Sequence, residues 1–445
     1  MDPILIGILG IILLFIVLAL GFHIGLALII AGFVGLLFML DFEQTITMVV
    51  AAFYHKISYP ALITLPLFIL MGHLASGGGI SQNIYDSLSK WLGRFKSGLG
   101  ISTVLACTAF GTVCGASIVV AAVFSKISAP EMRRHGYHKT LAYAICASSG
   151  AIGMLIPPSI LAIVYGTMSG VSIGKVLMAG VAPGVLVAIA FSLAIIITAR
   201  INPNAIRDTG DKKSATWGER VRSLKSWWSI VIVSVTLFGG MYGGVFSPSE
   251  AAAVAAFVLL VIYLLRGFFG RGVFDHRKIG RELLGNFTET AITSAMIFFI
   301  FGGATVFSQF IVLTGVTSEL SDIFLGTGLP PHVLVLVFCL IYLILGVFLD
   351  GISIVCITVP VFNPIMKAAG VDPIWYATLV ILSIEIGLIT PPVGLNLYAA
   401  KGVAEPDVTL EDVVRGILPF FFGMIAVLLF LFAFPSISTY LPSFI

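Results

Sequence analysis

Long apolar blocks separated by short polar stretches run the length of this chain. Residues 3–40 exceed the roughly 20 that one membrane-crossing helix needs. Gly21 and His23 near their middle predict two helices or one bent helix, with His23 as a junction residue. Asp41–Tyr59 is amphipathic, as a helix lying along an interface would be. Residues 60–76 are apolar again and Gly77-Gly78-Gly79 ends them. The polar stretch 80–97 carries Lys90, Trp91, Arg94 and Lys96, the composition of a helix at headgroup level.

Two kinds of interruption then recur. In 98–127 small residues (Gly111, Gly115, Ser117) break the middle of an apolar run, leaving arms too short to span. With Lys96 before and Lys126 after, the pattern predicts a re-entrant hairpin with Cys114-Gly115-Ala116-Ser117 at its tip. The alternative is one ordinary helix whose small residues serve close packing. The helix expected from Thr140 meets Gly153-Met154-Leu155-Ile156-Pro157-Pro158-Ser159. Proline removes a donor and clashes with the preceding turn, so the helix must break there, and a second arm runs to Gly170 before a helix over Ile173–Thr198.

Both interruptions return later in the chain. At a shift of 234 residues Val113 meets Val347, Ile118 meets Ile352, Pro130 meets Pro364, Gly136 meets Gly370 and Gly153 meets Gly387. The two Pro-Pro pairs also coincide, and two further residues align Gly180 with Gly416 and Pro183 with Pro419. Leu329–Lys367 is thus a second hairpin with Leu349-Asp350-Gly351-Ile352 near its tip, and Gly387–Val393 a second break. Between the copies, 228–265 reads as a helical hairpin turning near Tyr242–Pro248, and Glu289–Leu313 as a long helix.

Charge sets the orientation. The linkers 200–226 and 266–282 hold half of the 24 basic residues, which places them in the cytoplasm. The loop after the first hairpin carries Lys126, Arg133, Arg134 and Lys139, whereas its counterpart carries only Lys367 and Asp372. Opposite orientations of the two copies produce that asymmetry. The fold class is an all-α polytopic membrane protein: an inverted repeat with two re-entrant helical hairpins and two broken helices, the core of a secondary transporter.

Composition agrees, at 59% hydrophobic and 10% charged residues, against about 25% charged in soluble domains. The net charge of +3 carries no basic block that suggests nucleic acid. Cys107, Cys114, Cys146, Cys339 and Cys356 lie in apolar segments without metal-ligand spacing and read as buried small residues. The N-terminus lacks the basic region of a cleaved signal peptide. Zinc-hydrolase, serine-hydrolase and nucleotide-binding motifs are missing, so an enzyme is not expected. An intramembrane hydrolase using Asp86 or Asp350 is the competing reading from a different class.

At tips and breaks, carbonyls without helical partners offer the neutral oxygens that suit sodium. The first cluster comprises Cys114, Ser117, Gly153, Ile156 and Pro157; the second comprises Gly346, Gly351, Gly387, Thr390 and Val393. Ser117 and Thr390 could add hydroxyls, or bond back to a carbonyl one turn earlier. Helix N-termini following the interruptions favour anions, which makes Ser117, Ser159, Ser353 and Asn396 candidate contacts for an anionic substrate. Asp350 either serves that centre or caps its arm, and Glu385 is a second intramembrane acid of functional interest. The histidines and the charges of 200–226 read as solvated or interfacial.

The run Phe110–Ser117, the run Gly153–Ser159 and the run Gly387–Leu397 together resemble the large membrane subunit of tripartite ATP-independent periplasmic (TRAP) transporters, over essentially the whole chain. That resemblance implies a sodium-coupled importer of organic anions in a bacterial inner membrane, working as an elevator. It also implies a periplasmic substrate-binding protein as partner. A small four-helix membrane subunit is implied too, expected here as a separate chain. On this reading 98–200 and 330–434 form the moving transport domain, 1–97 and 201–329 the scaffold, and 435–445 a tail. Cys114 and Ala116 stand where the family more often has small polar residues at the first tip. A standalone sodium- or proton-coupled anion transporter is the runner-up.

Overall fold

The computed structural model describes residues 2–207, 215–269, 279–326 and 328–444, so the linkers 200–226 and 266–282 lie partly outside the described residues. Helices α1 (Pro3–Ala19) and α2 (Ile24–Leu37) are split at Gly21, whose φ of 84° is open to glycine. His23 caps α2 through its ring nitrogen, the junction role expected of it. The amphipathic helix α3 (Phe42–Ile57) starts at the Asp41 cap, and α4 (Thr64–Gly77) and α5 (Ile80–Leu92) bend by 59° at the glycine run.

Helices α6 (Gly98–Cys114) and α7 (Ser117–Arg134) form the first hairpin. Their arms run antiparallel, because Phe110 stacks edge-on against Phe124 near the tip and Thr103 meets Met132 further down. At the open end the Tyr137 hydroxyl joins Lys96 to Gly100. The first broken helix comprises α8 (Lys139–Gly150), α9 (Ile152–Leu155) and α10 (Ile160–Ser169). After it come α11 (Ile173–Ala179) and α12 (Val181–Ile201).

The middle of the chain supplies α13 (Trp217–Leu224), α14 (Trp228–Ser234), a π-helical stretch over Val235–Gly239, α15 (Gly240–Tyr242) and α16 (Pro248–Phe269). One charge departs from the solvated reading of 200–226. Arg220 is buried, its guanidinium over the Trp217 ring, where stacking replaces water. Helix α17 (Ile279–Leu313) starts ten residues before the expected Glu289, since its polar first turns continue the backbone ladder beyond the apolar window. It packs along α2, α3 and α4. Helix α18 (Val316–Gly326) follows.

The second copy repeats the first in element order. Helices α19 (Pro331–Phe348) and α20 (Gly351–Ala368) form a hairpin whose arms meet through Phe338, Tyr342 and Phe362. Helix α20, like α7, has 18 residues. The second broken helix is α21 (Pro373–Leu388) and α22 (Leu395–Gly402), and α23 (Leu410–Gly416), α24 (Leu418–Ala433) and α25 (Ser436–Tyr440) complete the chain. Gly136 and Gly370 sit at equivalent turns with φ of 86° and 71°.

The hairpins open at opposite ends of α24. Its start lies beside Thr140, at the base of the first hairpin, through Gly416. Its end receives the Trp375 indole on the Leu431 carbonyl, next to His332 at the base of the second. The inverted repeat is therefore visible in the packing. The copies also exchange arms: α10 packs on α20 of the other copy, and α22 packs on α7. All five cysteines are buried and free.

At the basic end the copies are joined by charge. Arg133 forks onto Asp407 at 2.8 and 3.0 Å and also pairs with Glu405, while Lys139 reaches Asp412 at 2.8 Å and the Asp407 carbonyl. The Arg133 guanidinium holds the Asp407 carboxyl below the ordinary carboxylate range. Its contribution is complete above about pH 4 and is lost as pH falls further. The difference in melting temperature between the wild type and Arg133→Gln is expected to be present at pH 7 and to close toward pH 3. A gap that persists in acid would mean that the clamp acts by packing.

Candidate functional site

In each copy the hairpin crosses its own broken helix where two glycines remove the side chains between the backbones. A Cβ on Gly111 would lie 2.8 Å from the Gly153 Cα, and one on Gly346 would lie 2.9 Å from the Gly387 Cα. Such contacts are how helices approach closely in a membrane. A backbone bond then ties tip to break. The Ile160 amide donates to the Gly115 carbonyl at 3.2 Å, and the Gly394 amide donates to the Val347 carbonyl at 3.2 Å. Each tip and its break thus form one unit.

In the first cluster Gly115 turns with a φ of 68° against the Pro158 carbonyl. The Cys114 carbonyl faces Gly72 of α4, so α4 touches this tip. Ile156 is extended and packs under Gly184. Pro157 and Pro158 have no N–H, so the carbonyls of Gly153 and Met154 lose the donor one turn ahead. Ser117 is fully buried and its hydroxyl has no hydrogen-bond partner.

The second cluster differs in detail. Gly351 begins α20 between Ile384 and Leu161 of the other copy. Pro391 and Pro392 strip the donors from the Gly387 and Leu388 carbonyls, although the Thr390 amide recaptures Gly387 at 2.9 Å. The Thr390 hydroxyl donates to the Ile386 carbonyl at 2.5 Å, which is the back-bonded alternative and leaves its lone pairs free. Val393 is half-buried beside Gly394.

The four candidate substrate contacts are buried rather than lipid-facing. Ser159 is occupied as the α10 cap, accepting from the Ala162 amide at 3.1 Å. Asp350 caps α20, accepting from the Ser353 amide at 3.0 Å and from the Ser353 hydroxyl. Ser117 and Asn396, whose amide oxygen and nitrogen are both unpartnered, have no such cap bond. Hard-cation chemistry fits this donor set: carbonyls freed by proline and an orphaned hydroxyl, with no cluster of acids, cysteines or histidines among the described residues.

Sequence reasoning gave Gly111 a different role and passed over Lys56, Ser148 and Ser149. Gly111 mattered as the partner of Gly153 rather than as a helix interruption. Lys56 of α3 donates to the Thr167 carbonyl at the end of α10, at 3.1 Å, linking the two predicted domains. It lines a cavity of about 250 Å³ with His55, Thr167, Thr305 and Gln309. Ser148 and Ser149 bury further unpartnered hydroxyls on α8. Only the small-residue pattern at Gly111 carried a sequence signal.

The model of the tripartite ATP-independent periplasmic transporter DctM component matches residues 11–437. The chain is 32% identical to the C4-dicarboxylate TRAP transporter large permease protein of Vibrio cholerae, covering 86% of this chain and 85% of that one. It is 31% identical to the ectoine/5-hydroxyectoine large permease protein of Ruegeria pomeroyi, over 96% of each. The YdaH transporter of Alcanivorax borkumensis shares the fold at a TM-score of 0.64, covering 90% and 88% of the two chains at 14% identity. Relatives of near-equal identity thus carry the names of chemically different solutes.

Proposed function

Because the chain belongs to the DctM family of TRAP transporter large permeases, we propose that it imports a small organic anion, a carboxylate or sulfonate, in symport with sodium. It does so as a multi-pass protein of a bacterial inner membrane, a transporter and not an enzyme. A periplasmic binding protein delivers the substrate, and a separate small four-helix membrane subunit braces the scaffold.

The observation that carries this reading is the pair of tip-and-break units, one per inverted copy, each closed by a glycine contact and one backbone bond. In the proposed cycle residues 98–200 and 330–434 move as one body against the scaffold. Sodium is held by the carbonyls and hydroxyls of the two clusters, and its charge attracts the anion between them. Ser117 and Asn396 supply polar contacts without a fixed positive charge, so the anion binds well only after the cations. Lys56 adds a cation at the edge of the scaffold, where it also holds α10.

The test is uptake into proteoliposomes holding this chain and its small membrane subunit. An inward sodium gradient is imposed, with and without the purified binding protein, over a panel of small carboxylates and sulfonates. Uptake that needs both sodium and the binding protein is the expected result. Uptake without the binding protein would replace the tripartite reading by a standalone transporter, and uptake indifferent to sodium would remove the coupling.

A further inference from the structure

Away from both tip-and-break units, a cavity of about 430 Å³ opens at the basic end of the molecule, where the start of α8, the end of α12 and the start of α24 converge. That volume is within the roughly 300–1,000 Å³ of small-molecule sites. Its polar lining is one-sided. Arg207 and Arg415 are cationic, and His138, Thr140, Thr198 and Asn202 carry donors, with no carboxylate among the described lining residues.

The rim is held by backbone bonds. The Arg207 amide donates to the Gly136 carbonyl at 2.8 Å, and the His138 amide donates to the Ala205 carbonyl at 2.9 Å. The local caps use acceptors and spare donors. His138 accepts the Thr140 amide on Nδ1 at 3.4 Å, which puts the ring proton on Nε2. Asn202 accepts the Asn204 amide on its oxygen at 3.1 Å, which leaves its amide protons. Arg415 gives one nitrogen to Glu411 in an exposed pair, a weak competitor for the remaining N–H groups. Helix α8 begins here, and the positive end of its dipole adds to the attraction for an anion.

The cavity also adjoins the bilayer. Every fourth residue of α12 from Val185 to Ile201 is exposed and apolar, a row turned to lipid. Thr198 and Asn202 follow Ile197 and Ile201 by one position, about 100° round the helix. An amphiphile lying along the row therefore brings its head into the cavity. The linker beyond Asn202 is one that charge places in the cytoplasm.

We propose that this cavity binds the phosphate of an anionic glycerophospholipid of the cytoplasmic leaflet, with Arg207 and Arg415 as counter-charges and His138, Thr198 and Asn202 donating to its oxygens. Arginine suits phosphate because its fork of N–H groups matches two oxygens, and basic pockets between membrane helices on this side hold such headgroups. Since α8 and α12 come from the first copy and Arg415 from the second, a bound lipid clasps the copies together. The site is separate from both ion clusters and stands whether or not transport is coupled to sodium.

The experiment uses the full chain with its small membrane subunit, stripped of lipid in a neutral detergent and titrated with dioleoyl phosphatidylglycerol. Native mass spectrometry counts the bound lipid, and melting temperature reports its effect. The wild type is expected to take up phosphatidylglycerol with a rise in melting temperature, and phosphatidylcholine about tenfold more weakly. Arg207→Gln and Arg415→Gln are each expected to weaken phosphatidylglycerol binding about fivefold. Arg134→Gln removes an exposed charge from the same end but outside the cavity, and is expected to bind as the wild type does. Wild-type affinity in both cavity variants, or an equal loss in Arg134→Gln, would overturn the site. Two outcomes on the wild type alone would also overturn the proposal, whether or not a variant folds. One is equal affinity for phosphatidylcholine; the other is displacement of the lipid by inorganic phosphate at equal concentration, which would make the ligand a soluble anion.

Discussion

Gly387→Val is expected to lower sodium-driven uptake about 100-fold or more while the chain still inserts and folds. A Cβ at this position would lie 2.5 Å from the Gly346 Cα and 2.6 Å from the Leu343 carbonyl. Both obstacles are backbone, so no rotamer change relieves them and the second hairpin must move away from α21. Overpacking of this kind costs about 1–3 kcal/mol, which a large helical scaffold tolerates. The functional cost is larger, because a displacement of about 1 Å at a positioned site can remove about 100-fold in rate. The Gly387 and Leu388 carbonyls would shift relative to the second tip, and the bond from Gly394 to Val347 would lengthen. Uptake in proteoliposomes, normalised to inserted protein and read with and without a sodium gradient, is the measurement. Wild-type uptake that still follows sodium would exclude the glycine crossing from the site.

The second large effect is structural and lies where α2 meets α17. Gly303 of α17 rests on the Gly25 carbonyl of α2, and Gly32 of α2 lies with its would-be Cβ 3.0 Å from the Phe307 backbone. The two helices therefore touch through main chain over two turns, the arrangement by which small residues drive helix association in lipid. Gly303→Leu puts a side chain of four carbons where there is no space for one. We expect loss of more than about 3 kcal/mol, seen as a collapse of monodisperse protein on detergent size-exclusion chromatography. Gly387→Val should pass that same assay. If Gly303→Leu remains monodisperse with a wild-type melting temperature, the backbone contact of α2 with α17 does not hold the fold together.

The contrast between these variants shows what sequence could tell. The two breaks and the two tips were legible because Pro157, Pro158, Pro391, Pro392, Gly115 and Gly351 act on their own backbone, within a few residues. The inverted copies were legible because those same residues recur at one spacing. Asp350 was legible only as one of two roles, and the local one holds: it caps the helix that starts beside it. Contacts between distant segments left no mark. Lys56 meets Thr167 across 111 positions, and nothing in either neighbourhood signals the other. Arg220 is buried in a linker whose composition reads as solvated, because α13 packs on α5 and the guanidinium lies over the Trp217 ring. Glu385 was conspicuous as an intramembrane acid, and it proves to be fully buried, which its apolar neighbourhood alone did not decide.

The exchange of arms between the copies has its own consequence. Since α10 completes the packing of one hairpin arm and α22 that of the other, neither copy is fully packed without its counterpart. The arrangement is that of a swapped antiparallel dimer sealed into a single chain. A change that loosens one tip must loosen the arm lent by its counterpart. Filling one ion cluster should therefore tighten the other, and sodium should be taken up with a Hill coefficient above one.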